Sequence, residues 1–464
     1  MTIGLTNDQY YNDIADAIRE KRPDLPLNQT FKPSEMSSAI REIKSSYKWV
    51  RPTEWPDLDS VYSKTQKNVI YMTVDATGRF DHPCVKFYVT TADDGDCTIQ
   101  TGTISNGVFT AITTETKGSA TSSDSTTDWE KEWTPSAGYY PVIKVTATSL
   151  KNIAFLQKTN SIGTSERIPH VIEMVGHADY VFVPPNLGSS AQIIPKYLVH
   201  EAIGADYVSS GTDLKRKWAS HINLESLDLS NWNTTNWEIT SLENTWYSCY
   251  SLKEINMSGW DTTNWAVTSL KYTWGSCKNL LELDLSNWNT SNWPVSTLEY
   301  TWNYCYNLKE LDLSNWDTTN WEVTSMVNTW YYCSSLTNLN LSSWDTSNWE
   351  VTTMQNTFNY TGLTKIDISM FDSNNWAVTS FSSFTTYSDS LIELYLPNDF
   401  FSCYTGTSII SISNENLSRN SILSIFNATS TSTTTKKLNI GTINNNKMTN
   451  AEKAIVTNKG WTLS

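Results

Sequence analysis

Residues 308–333 read LKELDLSNWDTTNWEVTSMVNTWYYC, and close variants of this string recur on both sides of it. The first apolar residue of its short Leu-x-Leu run returns as Leu227, Ile255, Leu283, Leu311, Leu339, Ile366 and Leu394. Five of those six steps equal 28 and one equals 27. A fixed period of this size marks a solenoid, because one unit cannot bury its apolar face alone and a stacked neighbour covers it. Leu308, Leu311 and Leu313 bracket a short strand, with Asp312 pointing the other way. Val323, Met326, Trp330 and Cys333 follow at spacings of +3, +4 and +3, which predicts a helical segment with one buried face. The fold class expected is therefore a mixed α/β repeat, each rung having a strand side and a helical side.

Outward from this core the pattern changes. Residues 1–47 predict a short helical hairpin: Ile14, Ala17 and Ile18 form one stripe, and Met36, Ala39, Ile40 and Ile43 another. So few residues make a poor core, so attachment to a partner or self-association is expected of them. Residues 48–160 alternate apolar and polar in VIYMTV, CVKFYVT, CTIQTGT and YPVIKVTATS, which predicts a small antiparallel β-sandwich. Residues 161–222 read as an irregular N-terminal cap, with VIEMV and YVFVPP as degenerate first rungs. The repeats are assigned to 223–400. Residues 401–464 hold the last rungs and a C-terminal cap, Ile410 and Leu438 being 28 apart.

The unit LDLSNWDTTNWEVTSMVNTWYYCSSL resembles the BspA-type leucine-rich repeat, whose units read LDLSNFDTSNVTNMSYMFYGCSSL. The resemblance covers roughly residues 220–400 and implies a right-handed leucine-rich-repeat solenoid. This chain departs from the pattern in placing Trp where Phe is usual and in adding residues around Asn-Trp-Glu. The segment SILSIF…KKLNIG…AEKAIVTNKGWTLS resembles the end cap of the same proteins. AGYYPVIKVTAT resembles the last strand of polycystic-kidney-type immunoglobulin-like domains. YYNDIADAIREKRPDLPLNQTFKPSEMSSAIREI resembles a helical segment at the start of phage tail and other structural proteins.

Composition narrows the function classes. The formal charge is −15, which disfavours phosphate backbones and anionic membranes, so no nucleic-acid partner is expected. No stretch approaches the roughly 20 apolar residues of a membrane span, so no membrane insertion is expected. MTIGLTNDQYYND lacks the basic start and apolar core of a secretory signal, which suggests assembly in a cytoplasm. Of seven cysteines, Cys249, Cys277, Cys305 and Cys333 share one repeat column and are expected as buried thiols. The five histidines lie outside the main repeat, and no Ser/His/Asp set, phosphate loop or paired catalytic carboxylates can be assembled. The chain is not expected to be an enzyme, and no cofactor is expected.

Two columns are candidates for ligand binding. The first is the second Trp of each rung, within Asn-Trp: Trp237, Trp265, Trp293, Trp321, Trp349 and Trp376. These lie off both expected apolar faces, so they form either an edge stack that staples loops or an aromatic strip for sugars or a protein. The second is the acidic column Glu254, Glu282, Asp284, Glu310 and Asp312 on the outward strand face. Stacked like charges repel, and solvent with nearby lysines, a Ca²⁺ ion or a cationic partner would offset this.

The resemblances together imply a phage virion adhesion protein of tail, baseplate or head-fibre type. It would be held by other virion proteins at its N-terminus and bind host-surface polysaccharide or protein. The alternatives are a bacterial surface adhesin of the BspA type and, with no acid–base pair to support it, a carbohydrate-active enzyme.

Overall fold

The computed structural model describes residues 49–464 apart from 64, 123–125, 157, 160–164, 167–169, 180–197, 206–213, 433 and 435. Met1–Pro52 and Thr53–Ser464 are separate compact units. The expected helical hairpin and YVFVPP lie outside the described residues.

The alternating runs form β1 (Val69–Val74), β2 (Cys84–Thr91), β3 (Cys97–Ser105), β4 (Val108–Lys117), β5 (Trp129–Glu132), β6 (Val142–Ala147) and β7 (Leu150–Phe155). Strands β5-β2-β7 make one antiparallel sheet, and β1, β6, β3 and β4 are antiparallel neighbours in another. Apolar residues of the two sheets, among them Phe87, Trp129 and Ile153 from one and Met72, Ile99 and Val145 from the other, belong to one buried core. A minimal hairpin, β8 (Lys158–Thr159) with β9 (Ser165–Glu166), follows.

VIEMV opens β10 (Val171–Ala178), and this strand joins the two architectures. It pairs antiparallel with β1 on one side and parallel with β11 (His200–Ala205) on the other. Strand β11 then pairs parallel with β12 (Ser226–Asp228), and β12 with β13 (Glu254–Asn256). One eight-stranded sheet thus runs in the order β13-β12-β11-β10-β1-β6-β3-β4. Gly176 lies where β10 and β1 approach closely: a Cβ there would sit 2.2 Å from Val69 O and 2.7 Å from Ile70 Cα.

A rung precedes the periodic ones, inside the stretch read as the N-terminal cap. Leu214, Arg216 and Trp218 donate their N–H groups to Ser241, Glu243 and Thr245 of the next rung. Trp218 stacks on Trp246 with ring centroids 5.8 Å apart. This rung escaped the period because it is polar at inward positions: Glu201 pairs in register with Leu227, and His221 holds the place that Cys249 takes one period later. Further along, β14 (Glu310–Asp312) pairs with β15 (Asn338–Asn340), and β16 (Lys365–Asp367) with β17 (Glu393–Tyr395). These ladders set Leu311 beside Leu339 and Ile366 beside Leu394.

The helical side of the rung is not a helix. Asn328 and Tyr332 have φ of +55° and +60°, and the equivalent residues of every rung from Arg216 and Ser220 to Ser383 and Tyr387 are also left-handed. A left-handed residue at every fourth position stops the i to i−4 ladder. The N–H groups alternate instead. Thr329, Tyr331 and Cys333 bond three residues back, while Asn328, Trp330 and Tyr332 donate to Gln355, Thr357 and Asn359 of the next rung. Val323, Met326, Trp330 and Cys333 still all point inward, each fully buried, so consecutive turns reproduce the spacing of a helical face.

At the C-terminal end the strands one period apart pair, but in a sheet of their own. β18 (Ile410–Ser411), β19 (Lys436–Asn439) and β20 (Trp461–Leu463) form a parallel sheet in which Ile410 lies beside Leu438. That sheet does not continue the strand column, since Ile410 follows Leu394 by well under one period. Asn414, just after β18, instead donates to the carbonyls of Thr385 and Ser388 on the turn side. The helix Arg419–Asn427 covers β17: Leu394 and Leu396 N–H donate to the hydroxyls of Ser421 and Ser424, both at 2.9 Å.

Candidate binding surface

The interior of the stack holds three indole columns. Trp274, Trp302 and Trp330 follow one another at 5.6 and 5.8 Å, with ring planes 5° and 1° apart. Trp260, Trp288 and Trp316 form a second column at 6.1 and 6.3 Å. The third is the Asn-Trp column. Trp265, Trp293, Trp321 and Trp349 have no exposure, and Trp237 and Trp376 have 3% and 5%. The expected aromatic strip is therefore corrected: these rings offer no open face to a ligand. The cause is a tight turn. Trp265 N–H bonds back to Thr262 O at 3.0 Å, which swings the indole inward and leaves Asn264 outside. Asn264 Nδ2 then donates to Thr235 O of the preceding rung at 2.8 Å, and Asn292, Asn320, Asn348 and Asn375 repeat the staple. Burying an indole contributes roughly 4–6 kcal/mol as an upper estimate.

The cysteine column is equally internal. Cys277, Cys305 and Cys333 Sγ donate to the carbonyls of Trp246, Trp274 and Trp302 at 3.1–3.2 Å, and none forms a disulfide. Burial pushes the Cys305 thiol up to about 12, so it is no nucleophile at neutral pH.

The acidic column is on the surface. Glu282, Asp284 and Asp312 are exposed, and Glu254 and Glu310 are half-buried. Asp284 Oδ1 accepts the Ser286 N–H at 2.9 Å and Asp312 Oδ1 that of Ser314 at 3.0 Å, so these carboxylates cap the turn after the strand. A cross-rung cation lies beside this column: Lys253, next to Glu254, reaches Glu225 at 2.7 Å. Among the described residues no group of three or more His, Cys, Asp or Glu is placed to hold a metal ion.

A different aromatic column lies at the surface. Tyr304, Tyr332, Tyr360 and Tyr387 occupy the second left-handed position of successive rungs, with φ of +58°, +60°, +57° and +59°. Tyr332 stacks on Tyr360 at 4.1 Å and Tyr360 on Tyr387 at 4.5 Å, while Tyr304 lies 5.3 Å from Tyr332. Three of them are half-buried and Tyr387, at the end, is 59% exposed. Tyr272 and Tyr300 stack at 4.4 Å in the neighbouring left-handed column. Tyr331 packs edge-on against Tyr332 at 4.7 Å. A left-handed Tyr costs about 1 kcal/mol or more where Asn or Gly would cost little. A stacked pair returns about 0.5–1.5 kcal/mol. Burial, then neighbouring tyrosines, pushes Tyr272 and Tyr331 up to about 12, so both keep their hydroxyl protons at neutral pH. The steps of 28, 28 and 27 between Tyr304 and Tyr387 carried this signal, but the same turns read as a helix hide which residues face outward.

A family model described as "Mycoplasma protein of unknown function, DUF285" matches residues 212–321 and again 296–391. No curated protein matches the chain. The matched stretch is the stacked one, and with its solenoid arrangement it fits a repeat protein of the BspA type.

Proposed function

We propose that this chain is a surface-displayed binding protein, a BspA-like adhesin, in which a leucine-rich-repeat solenoid presents a periodic exterior to a cell surface. The immunoglobulin-like sandwich that the N-terminal sheets suggest is the spacer, rigidly continuous with the repeats through β10. The family match over 212–391 is the observation that carries the reading. The chemistry is compatible with it: indoles and column thiols are buried, and the turn aspartates are engaged by backbone N–H groups. What remains outward is a rigid surface repeated rung by rung, suited to weak contacts that gain avidity when copies are held together. The protein acts by binding and not by catalysis.

A second reading, a phage virion adhesion protein, rests on the N-terminal sequence alone. The test is saturable binding of the labelled full-length chain to intact animal cells and intact bacteria in parallel. Binding to animal cells supports the adhesin, and binding to bacteria supports the virion protein. Binding to neither overturns both.

A further inference from the structure

We propose that the tyrosine ladder Tyr304–Tyr332–Tyr360–Tyr387 is the contact surface for an uncharged polysaccharide; this rests on the binding function above and names its site and ligand class.

Backbone conformation is the first support. At the same column, Ser248 and Ser276 adopt the same left-handed φ, +62° and +63°. Serine therefore serves this turn without a bulky ring, and tyrosine is not required by the fold. Strained backbone at bulky residues gathers at ligand-binding surfaces.

Chemistry is the second. The ladder rings stack face to face, so along most of their length they present ring edges and hydroxyls. Tyr387 ends the stack, and its exposure leaves room for a sugar ring against its outer face. Rungs repeat at roughly 4.8 Å, close to the rise of an extended polysaccharide per sugar, so successive hydroxyls meet successive sugars.

Charge is the third, and it selects the occupant. The turn stretches 327–335 and 355–362 contain no charged residue; they offer Asn, Ser, Thr, Gln and Tyr. The outer stretches carry one charge each, Glu299 in 299–307, paired with Lys271, and Asp389 in 382–390. A cationic peptide or an anionic glycan finds no array of opposite charge here, whereas a neutral glycan needs only hydroxyl and amide partners.

The test uses the full chain on surfaces bearing a neutral glucan, a neutral mannan, the anionic polysaccharide hyaluronan, and gelatin as a protein. Retention on at least one neutral polysaccharide is expected. Replacing all four ladder tyrosines with Ser is expected to weaken it at least tenfold with the melting temperature unchanged or raised. If that variant does not fold, Tyr387→Ser alone and the fourfold Tyr→Phe variant, which keeps the stacking, are each expected to weaken retention. Retention on hyaluronan or gelatin only, retention on nothing, or variants that fold and bind as the wild type would overturn the proposal. Cell binding that survives these same substitutions would leave the adhesin reading standing and remove only this site.

Discussion

Trp302 is fully buried between Trp274 and Trp330, and its indole N–H has no acceptor. The ring contributes by volume and stacking, and its nitrogen adds little. Trp302→Ala is expected to destabilise by ~3–5 kcal/mol in denaturant unfolding. Trp302→Phe should cost no more than about 1.5 kcal/mol. Phe358 already occupies that column, stacked on Trp330 at 5.0 Å. A wild-type unfolding curve for the Ala variant would refute the core assignment. The first rung offers a titration test. Burial raises Glu201 to about 8, with the Trp218 indole offsetting part of this, and burial lowers His221 to about 4. Between pH 4.5 and 8 the folded state holds the Glu201 proton more tightly than the unfolded chain, so that contribution to stability falls as pH rises. His221 acts oppositely between about 4 and 6.5, where the unfolded chain binds the extra proton and stability rises with pH. The two oppose each other up to about 6.5, above which only the Glu201 loss remains. Melting temperature should therefore decline from pH 6.5 to 8, and Glu201→Gln should flatten that decline. An identical slope in the variant would exclude Glu201 as its source.

At the scale of elements, a solenoid must close its ends. The polar first rung is continuous with β10 at one end. At the other, the helix Arg419–Asn427 lends two serine hydroxyls to the N–H groups of Leu394 in β17 and Leu396 just after it. Ser421 is fully buried, and its loss leaves the Leu394 N–H without that partner. Ser421→Ala is expected to cost ~1–3 kcal/mol in chemical unfolding. Ser421→Thr keeps the hydroxyl and should recover part of the loss. An Ala variant as stable as wild type would mean that water replaces the hydroxyl without cost.

At the scale of the whole molecule, the antiparallel strands and the first rungs of the solenoid share one sheet, so damage at their seam should reach the repeats. Gly176→Val places side-chain atoms against Val69 O and Ile70 Cα. It is expected to lower the melting temperature seen by tryptophan fluorescence. That signal comes mainly from the solenoid, since 16 of the 21 tryptophans are in its three columns. A fluorescence transition unchanged by the substitution would show that the two parts unfold independently.

The repeat period and its inward columns were legible in the sequence. Leu311, Trp316, Val323, Met326, Trp330 and Cys333 each head a column that returns once per rung, and all six are buried. Periodic apolarity reports burial whatever backbone produces it. That generality also hid three features. Spacings of +3 and +4 suit a helix and a chain of left-handed turns equally, and only the rung-to-rung hydrogen bonds distinguish them. The Asn-Trp pair gives no sign of which residue turns inward until the Thr262–Trp265 turn is seen. The tyrosine ladder faces outward because φ is positive at Tyr304, Tyr332, Tyr360 and Tyr387, a choice that accompanies the rung-to-rung hydrogen bonds of this column, which Ser248 and Ser276 share, and not any local preference of tyrosine.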